Sequence, residues 1–286
     1  MRDNFAAFIL THGRPDRVFT YNTLRNGGYT GKVYIVIDDE DKTGDEYRKQ
    51  FGENVLTFSK AEIAKTFDEG DNFQDRRAII YARNACFDLA KQVGVRHFIQ
   101  LDDDYTSFFY RFGETLSYEA TRMRNLDDVL ESLVQFMEDV PACSSIAMSQ
   151  GGDHIGGADS THNSSINLTR KCMNTFVCDT KRRFKFVGRI NEDVNTYTLE
   201  ATRGRLFFTF NAYQVTQLQT QTNSGGMTDL YLASGTFIKS FYSVMFAPAC
   251  VKISDMGQSN RRIHHAVEWN NTAPKILRES VKKGAH

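Results

Sequence analysis

Short continuous apolar runs alternate with amphipathic stretches along the first hundred residues, and three of the four runs end in a knot of polar side chains. Residues 5–11 form the first run. A strand without polar alternation is one buried on both faces. It breaks at His12-Gly13-Arg14-Pro15, after which a helix is expected over 16–25, ending near Gly27-Gly28. Residues 32–37 make a second buried strand that runs into Asp38-Asp39-Glu40-Asp41, and 55–58 a short third. Residues 75–93 carry Ile79, Ala82, Cys86, Leu89 and Ala90 along one side and read as a helix closed by Gly94. A fourth strand, 96–101, runs into Asp102-Asp103-Asp104.

Strands alternating with helices imply βαβ units and a mainly parallel α/β sheet. Ligands of such sheets bind beyond the carboxyl ends of the strands. The three polar knots are therefore expected to converge on one edge. Farther on, Asn125 is expected to cap an amphipathic helix carrying Leu126, Val129, Leu130, Leu133, Phe136 and Met137 inward. Residues 145–149 read as a strand leading into a glycine-rich loop, Gly151 to Gly157. Asn191-Glu192-Asp193 opens a helix ending near Gly204; 206–210 and 250–253 read as late strands, and 254–269 as polar loop.

Composition, at 41% hydrophobic and 24% charged, is that of a globular chain, and no linker or repeat divides it, so one domain over 1–286 is expected. Zero net charge excludes a global pull toward nucleic acid or membrane. The charge is unevenly spread, however: residues 170–189 hold seven bases against the single acid Asp179, interleaved with Phe176, Phe184 and Phe186. Such a stretch suits either a polyanion or plain solvent. Five cysteines without paired CxxC spacing argue against a disulfide framework or a structural zinc site. The first apolar run is too short for a secretory leader, and nothing approaches a membrane span, so a cytoplasmic home is expected.

Three consecutive carboxylates at a strand end repel a diphosphate unless a divalent cation bridges them, and hard oxygen ligands suit Mn²⁺ or Mg²⁺ sharing phosphate oxygens. The bland alternative is an acidic loop. Arg83 can offer its planar fork to a diphosphate or a base carbonyl, or be a surface arginine. Glu192-Asp193 at a helix start is either a general base for an acceptor hydroxyl or a pair of acids favoured by the helix dipole. Trp269, the only tryptophan, is either a stacking platform or core.

The order Thr11-His12-Gly13-Arg14-Pro15, Asp38-Asp39, Ala82-Arg83-Asn84, Leu101-Asp102-Asp103-Asp104 resembles the GT-A glycosyltransferases over about residues 5–110. With the Asn-Glu-Asp turn, the chain is most similar to phage-type transferases associated with TET/JBP-like base hydroxylases. The resemblance implies a GT-A (Rossmann-like) fold with a nucleotide-sugar half of about 1–125 and an acceptor half of about 126–286. It implies a UDP-sugar donor held by Thr11, His12, Gly13, Arg14, Asp38, Asp39, Arg83, Asp102 and Asp103, and a metal on Asp104 and Asp102. It also implies a late histidine ligand, His264 or His265, and a catalytic carboxylate, Asp193 first and Glu192 second. The acceptor implied is a 5-hydroxymethylpyrimidine in phage DNA, in the host cytoplasm. A saccharide or protein acceptor, or a metal-dependent sugar nucleotidyltransferase, stays open beside it.

Overall fold

The computed structural model describes residues 1–72, 76–115, 117–150, 166–168, 171–218, 235, 237–256 and 262–272. The glycine-rich loop 151–157 and the C-terminal Lys275, Arg278, Lys282 and Lys283 lie outside them.

The expected mainly parallel α/β sheet is present. Its strands are β1 (Phe5–Leu10), β2 (Lys32–Asp38), β3 (Val55–Phe58), β4 (His97–Asp102), β5 (Tyr105–Phe112), β6 (Tyr118–Arg122), β7 (Cys143–Gln150), β8 (Ile166–Asn167), β9 (Phe176–Asp179) and β10 (Leu206–Gln217). They run in the order β3-β2-β1-β4-β9-β7-β10-β5-β6, with β8 added on β10. The four strands β3, β2, β1 and β4 are mutually parallel, as are β7 and β10; β9 inserts antiparallel between the two groups.

Burial explains why β1 carries no polar residue. Phe5, Ala7 and Ile9 face a core shared with α1 (Phe19–Asn26) and α5 (Leu126–Asp139), while Ala6, Phe8 and Leu10 face one shared with α4 (Ile80–Gln92). Period-two alternation thus fills both layers from a single strand. The helix α6 (Glu192–Thr202) covers the second face, joined by Val194 and Tyr197. Trp269 stacks on Tyr197 with ring centroids 5.7 Å apart, which makes it packing rather than a ligand platform.

Several expected boundaries are corrected. The helix over 16–25 is a 3-10 turn, Pro15–Arg17, then α1 from Phe19, because the Thr20 amide donates to the Asp103 carbonyl (3.1 Å) and fixes where α1 begins. The helix expected from 75 starts at Ile80. Asn125 precedes α5 without a side-chain cap; its Oδ1 instead accepts from the Tyr110 hydroxyl (2.6 Å). Residues 254–269 are not loop throughout: β11 (Val251–Met256) pairs antiparallel with β12 (Arg262–Val267) in a separate ribbon. Its outward Ile253 and Ile263 are exposed, so no clean apolar alternation marked it. No helix among the described residues is long and apolar enough to cross a membrane.

Where β4 meets β9, Asp179 is buried opposite His97 and takes hydrogen bonds from Arg96 Nη2 (2.9 Å) and the Lys181 amide (2.9 Å). Burial alone would raise its carboxyl, but contacts with His97 and Arg96 outweigh it and hold the group well below the usual carboxylate range. A depressed folded value stabilises the fold above the unfolded-chain value of about 4, and that contribution is lost as pH falls through the folded value. Asp179→Asn should therefore lower the thermal midpoint at pH 7, and the gap from wild type should close as the pH is taken below about 4. An equal gap at pH 3 and pH 7 would refute this.

Candidate active site

The carboxyl ends of β1, β2 and β4 lie side by side, Leu10 in register with both Val36 and Asp102. The three polar knots that follow are hydrogen-bonded to one another. Thr11 Oγ1 donates to Asp103 Oδ2 (2.6 Å) and meets the Tyr47 hydroxyl (2.8 Å), which also accepts the Arg14 amide (2.9 Å). His12 Nδ1 bonds Asp38 Oδ2 (2.7 Å), and the Gly13 amide donates to Asp41 (2.8 Å). Gly13 stands at φ 68° with open space around its Cα, a backbone reversal that glycine adopts without strain. Lys60 Nζ reaches the other oxygen of Asp38 at 3.1 Å. Burial pushes the Asp38 carboxyl up, yet the His12 hydrogen bond and the Lys60 charge outweigh it and lower the net value; the same bond raises His12. Asp39 turns elsewhere: its Oδ1 accepts the Lys60 amide (2.9 Å) at the start of the short helix Lys60–Ala64.

The aspartate triplet divides. Asp102 accepts from Arg83 Nη2 (3.0 Å), and Asp103 accepts from Thr11 and pairs with Arg14 Nη2 at 3.2 Å. Asp104 has neither: its Oδ1 is buried without a hydrogen-bond partner. Burial first, then repulsion from Asp102 and Asp103, pushes its carboxyl up to about 7. A buried carboxylate without a cationic partner among the described residues, pressed by two like charges, fits a cation site, and the donor set is of the hard-oxygen kind that Mg²⁺ and Mn²⁺ take. Among the described residues no group of three His, Cys, Asp or Glu side chains is arranged to hold a metal. His264 and His265 on β12 are not gathered with the aspartates into such a group. Their rings stack at 4.3 Å, and burial, His264, Lys239 and Lys171 drive His265 down to about 3, a neutral imidazole whose Nδ1 has no partner.

The carboxylate pair Glu192-Asp193 at the start of α6 is joined to this edge through Arg83. Asn191, at φ 61°, turns the chain into α6, and its side chain donates to Ser243 Oγ on α7 (Ile238–Phe246) at 2.5 Å. Glu192 Oε1 accepts from Arg83 Nε (3.0 Å). Asp193 accepts the Val194 amide (2.8 Å) and makes no ion pair among the described residues. Burial raises both carboxyls, the mutual repulsion adding to Glu192 and the Arg83 charge opposing it. Arg83 itself is 3% exposed and sits 4.9 Å from the Phe176 ring centroid. It is not the surface arginine that sequence left open, and it bridges carboxylates.

The family model for TET-associated glycosyltransferases matches residues 5–226. The chain belongs to the TET-associated glycosyltransferase family. Among curated proteins none matches. Solved structures match at low identity and with TM-scores below 0.5. One is glucosyl-3-phosphoglycerate synthase from Mycobacterium tuberculosis in complex with Mg²⁺ and uridine diphosphate, with 5% identity over 93% of this chain and 88% of that one, at TM-score 0.45. Another is S. aureus TarS 1-349, with 12% identity over 84% and 65%, at TM-score 0.41.

The transferase also uses residues that sequence reasoning passed over. Thr20 clamps the acidic turn, accepting the Tyr105 amide (2.9 Å) and donating to the Asp102 carbonyl (2.5 Å); Tyr47, Lys60 and Asp41 buttress the first loop. A threonine in the first turn of an amphipathic helix carries no signal of its own. The described cations of the basic stretch 170–189 divide between internal contacts and exposed positions. Arg182 donates to the carbonyls of Met137, Val140 and Cys143, Arg183 pairs with Asp88 (2.5 Å), Lys185 donates to the Thr66 carbonyl (2.5 Å), and Arg189 pairs with Asp71 (2.9 Å). Arg182, Arg183 and Arg189 hold parts of the fold together, while Lys171, Lys181 and Lys185 are exposed.

Proposed function

We propose that this transferase moves a sugar from a nucleoside diphosphate sugar, a UDP-sugar first, to the hydroxymethyl group of a 5-hydroxymethylpyrimidine in DNA, in the host cytoplasm. The observation that carries the transfer chemistry is the meeting of two acidic groups on one guanidinium: Arg83 hydrogen-bonds Asp102 at the end of β4 and Glu192 at the start of α6. Asp104, with Asp102, would hold Mn²⁺ or Mg²⁺, which would neutralise the charge that develops on the departing diphosphate. Arg14, 3.2 Å from Asp103 and half-exposed, would supply a cationic contact on the donor side. His12 and Asp38 form the floor against which the nucleoside would lie. On the acceptor side, Asp193 would take the proton of the attacking hydroxyl as its oxygen bonds the anomeric carbon. The bond from that carbon to the diphosphate breaks, and its electron pair leaves with the phosphate. Asp193 is favoured over Glu192 because Glu192 is already held by Arg83.

The DNA acceptor is supported by the family's association with TET hydroxylases, whose chemistry supplies hydroxymethylated bases. The internal pairing of Arg182 and Arg189 leaves only part of the basic stretch to support it, which keeps a saccharide or protein acceptor as the alternative outcome. Incubating the protein and manganese with a panel of nucleotide sugars and 5-hydroxymethylcytosine DNA, then weighing the nucleosides after digestion, tests it. A nucleoside heavier by one sugar residue is the expected result. Donor turnover without any nucleoside gaining mass would remove DNA and leave the transferase reading standing.

A further inference from the structure

Arg83 was expected to meet the donor, and in the structure its guanidinium is bonded to two carboxylates. Arg83 Nη2 donates to Asp102 Oδ1 and Nε to Glu192 Oε1, both at 3.0 Å, so one guanidinium edge ties the end of β4 to the start of α6. The neighbours hold that guanidinium still. Gln100 Nε2 donates to the Arg83 carbonyl (3.0 Å), and Phe176 and Phe186 flank the charge at 4.9 and 5.9 Å. Asn84 exchanges two hydrogen bonds with the Phe186 backbone, 3.0 and 2.9 Å, fastening the segment that leads toward Asn191. Arg83 is 3% exposed, and its Nη1, like the Tyr105 hydroxyl beside the same aspartates, is buried without a partner. A rigid fork shared between two carboxylates fixes their separation as no lysine can.

We propose that Arg83 is a positioning residue of the transfer reaction: it does not bind the donor but sets the distance and angle between the donor-side Asp102 and the carboxylate pair opening α6. This rests on the transferase reading for its kinetic consequence, though not for its structural one. Across a reacting centre, displacement of a catalytic group by about 1 Å costs on the order of a hundredfold in rate. A purely positioning arginine should therefore act on turnover and leave ground-state donor binding intact.

Three variants test it: Arg83→Lys, Arg83→Gln, and the double Arg83→Gln/Glu192→Gln, which removes the unpaired acid should the single variant fold poorly. Two measurements are made on the full chain, amide hydrogen exchange over residues 190–197 and steady-state kinetics with the UDP-sugar that wild type turns over fastest. The expected result is faster exchange at the start of α6 in Arg83→Gln. With it, kcat should fall about a hundredfold while donor KM stays within about threefold, Arg83→Lys recovering only part of the rate. Donor KM rising with kcat unchanged would overturn the inference in favour of a donor contact. Unchanged exchange at 190–197 would overturn it whatever the kinetics. If wild type turns over no nucleotide sugar while exchange accelerates as expected, the transferase reading fails and the tie between β4 and α6 stands.

Discussion

Replacing Asp104 with asparagine should abolish metal-stimulated transfer while leaving the protein at least as resistant to heat as wild type. The two effects have one cause. The Asp104 carboxyl is buried, its Oδ1 has no hydrogen-bond partner, and Asp102 and Asp103 press it toward the protonated form. An amide of the same shape relieves that repulsion, so the fold loses nothing by the exchange. The same exchange deletes the anionic oxygen that a divalent cation would take. Loss of charge neutralisation at a leaving diphosphate is worth several kcal/mol, and about 4 kcal/mol corresponds to roughly a thousandfold in rate. Wild type titrated with manganese should show a rising thermal midpoint, Asp104→Asn a flat one, and a chelator should bring wild type down to the variant's rate. Asp39→Asn is the control: that carboxylate caps a short helix through the Lys60 amide and should cost stability more than turnover. Full activity in Asp104→Asn would remove the cation from this position.

The donor side was legible because its signal is local. Buried parallel strands are written as apolar runs, and the residues just past their ends are placed by the sheet itself, so Thr11, Asp38 and Asp102 could be put on one edge before any coordinate was known. The roles of those residues were less legible. Which carboxylate of the triplet stays without a cation depends on Arg14 and Arg83, which arrive from 89 and 19 positions away in the chain, separations at which spacing says nothing. The acceptor side was harder still. β9 is four residues inside a basic stretch whose charges drew attention from its apolar pattern, and β5 is an aromatic strand lying directly after the acidic turn. α7 escaped because its polarity is inverted. Ser240, Tyr242 and Ser243 are buried in it, whereas Phe237 just before it and Phe241 and Met245 within it are exposed. Binary patterning assumes the reverse, and here the inward polar face exists to hold Asn191 and Asn195, and with them the turn into α6.

That turn sets the second large effect. Asp193→Asn should reduce kcat by about a hundredfold to ten-thousandfold with donor KM little changed, the loss typical of a missing general base. Glu192→Gln should cost less. Glu192 acts through Arg83, and an amide oxygen can still accept the Nε hydrogen bond that the carboxylate accepts at 3.0 Å. The comparison is informative because the two residues are adjacent, both raised by burial, and differ mainly in whether a cation already holds them. A base must present an anionic oxygen that is free to take a proton, and Asp193, bonded to the Val194 amide and in no ion pair among the described residues, is the one that can. Rates for both variants against wild type, with donor and acceptor varied separately, decide between them. A larger loss in Glu192→Gln than in Asp193→Asn would move the base to Glu192 and turn its bond to Arg83 from a restraint into the means by which its proton affinity is set.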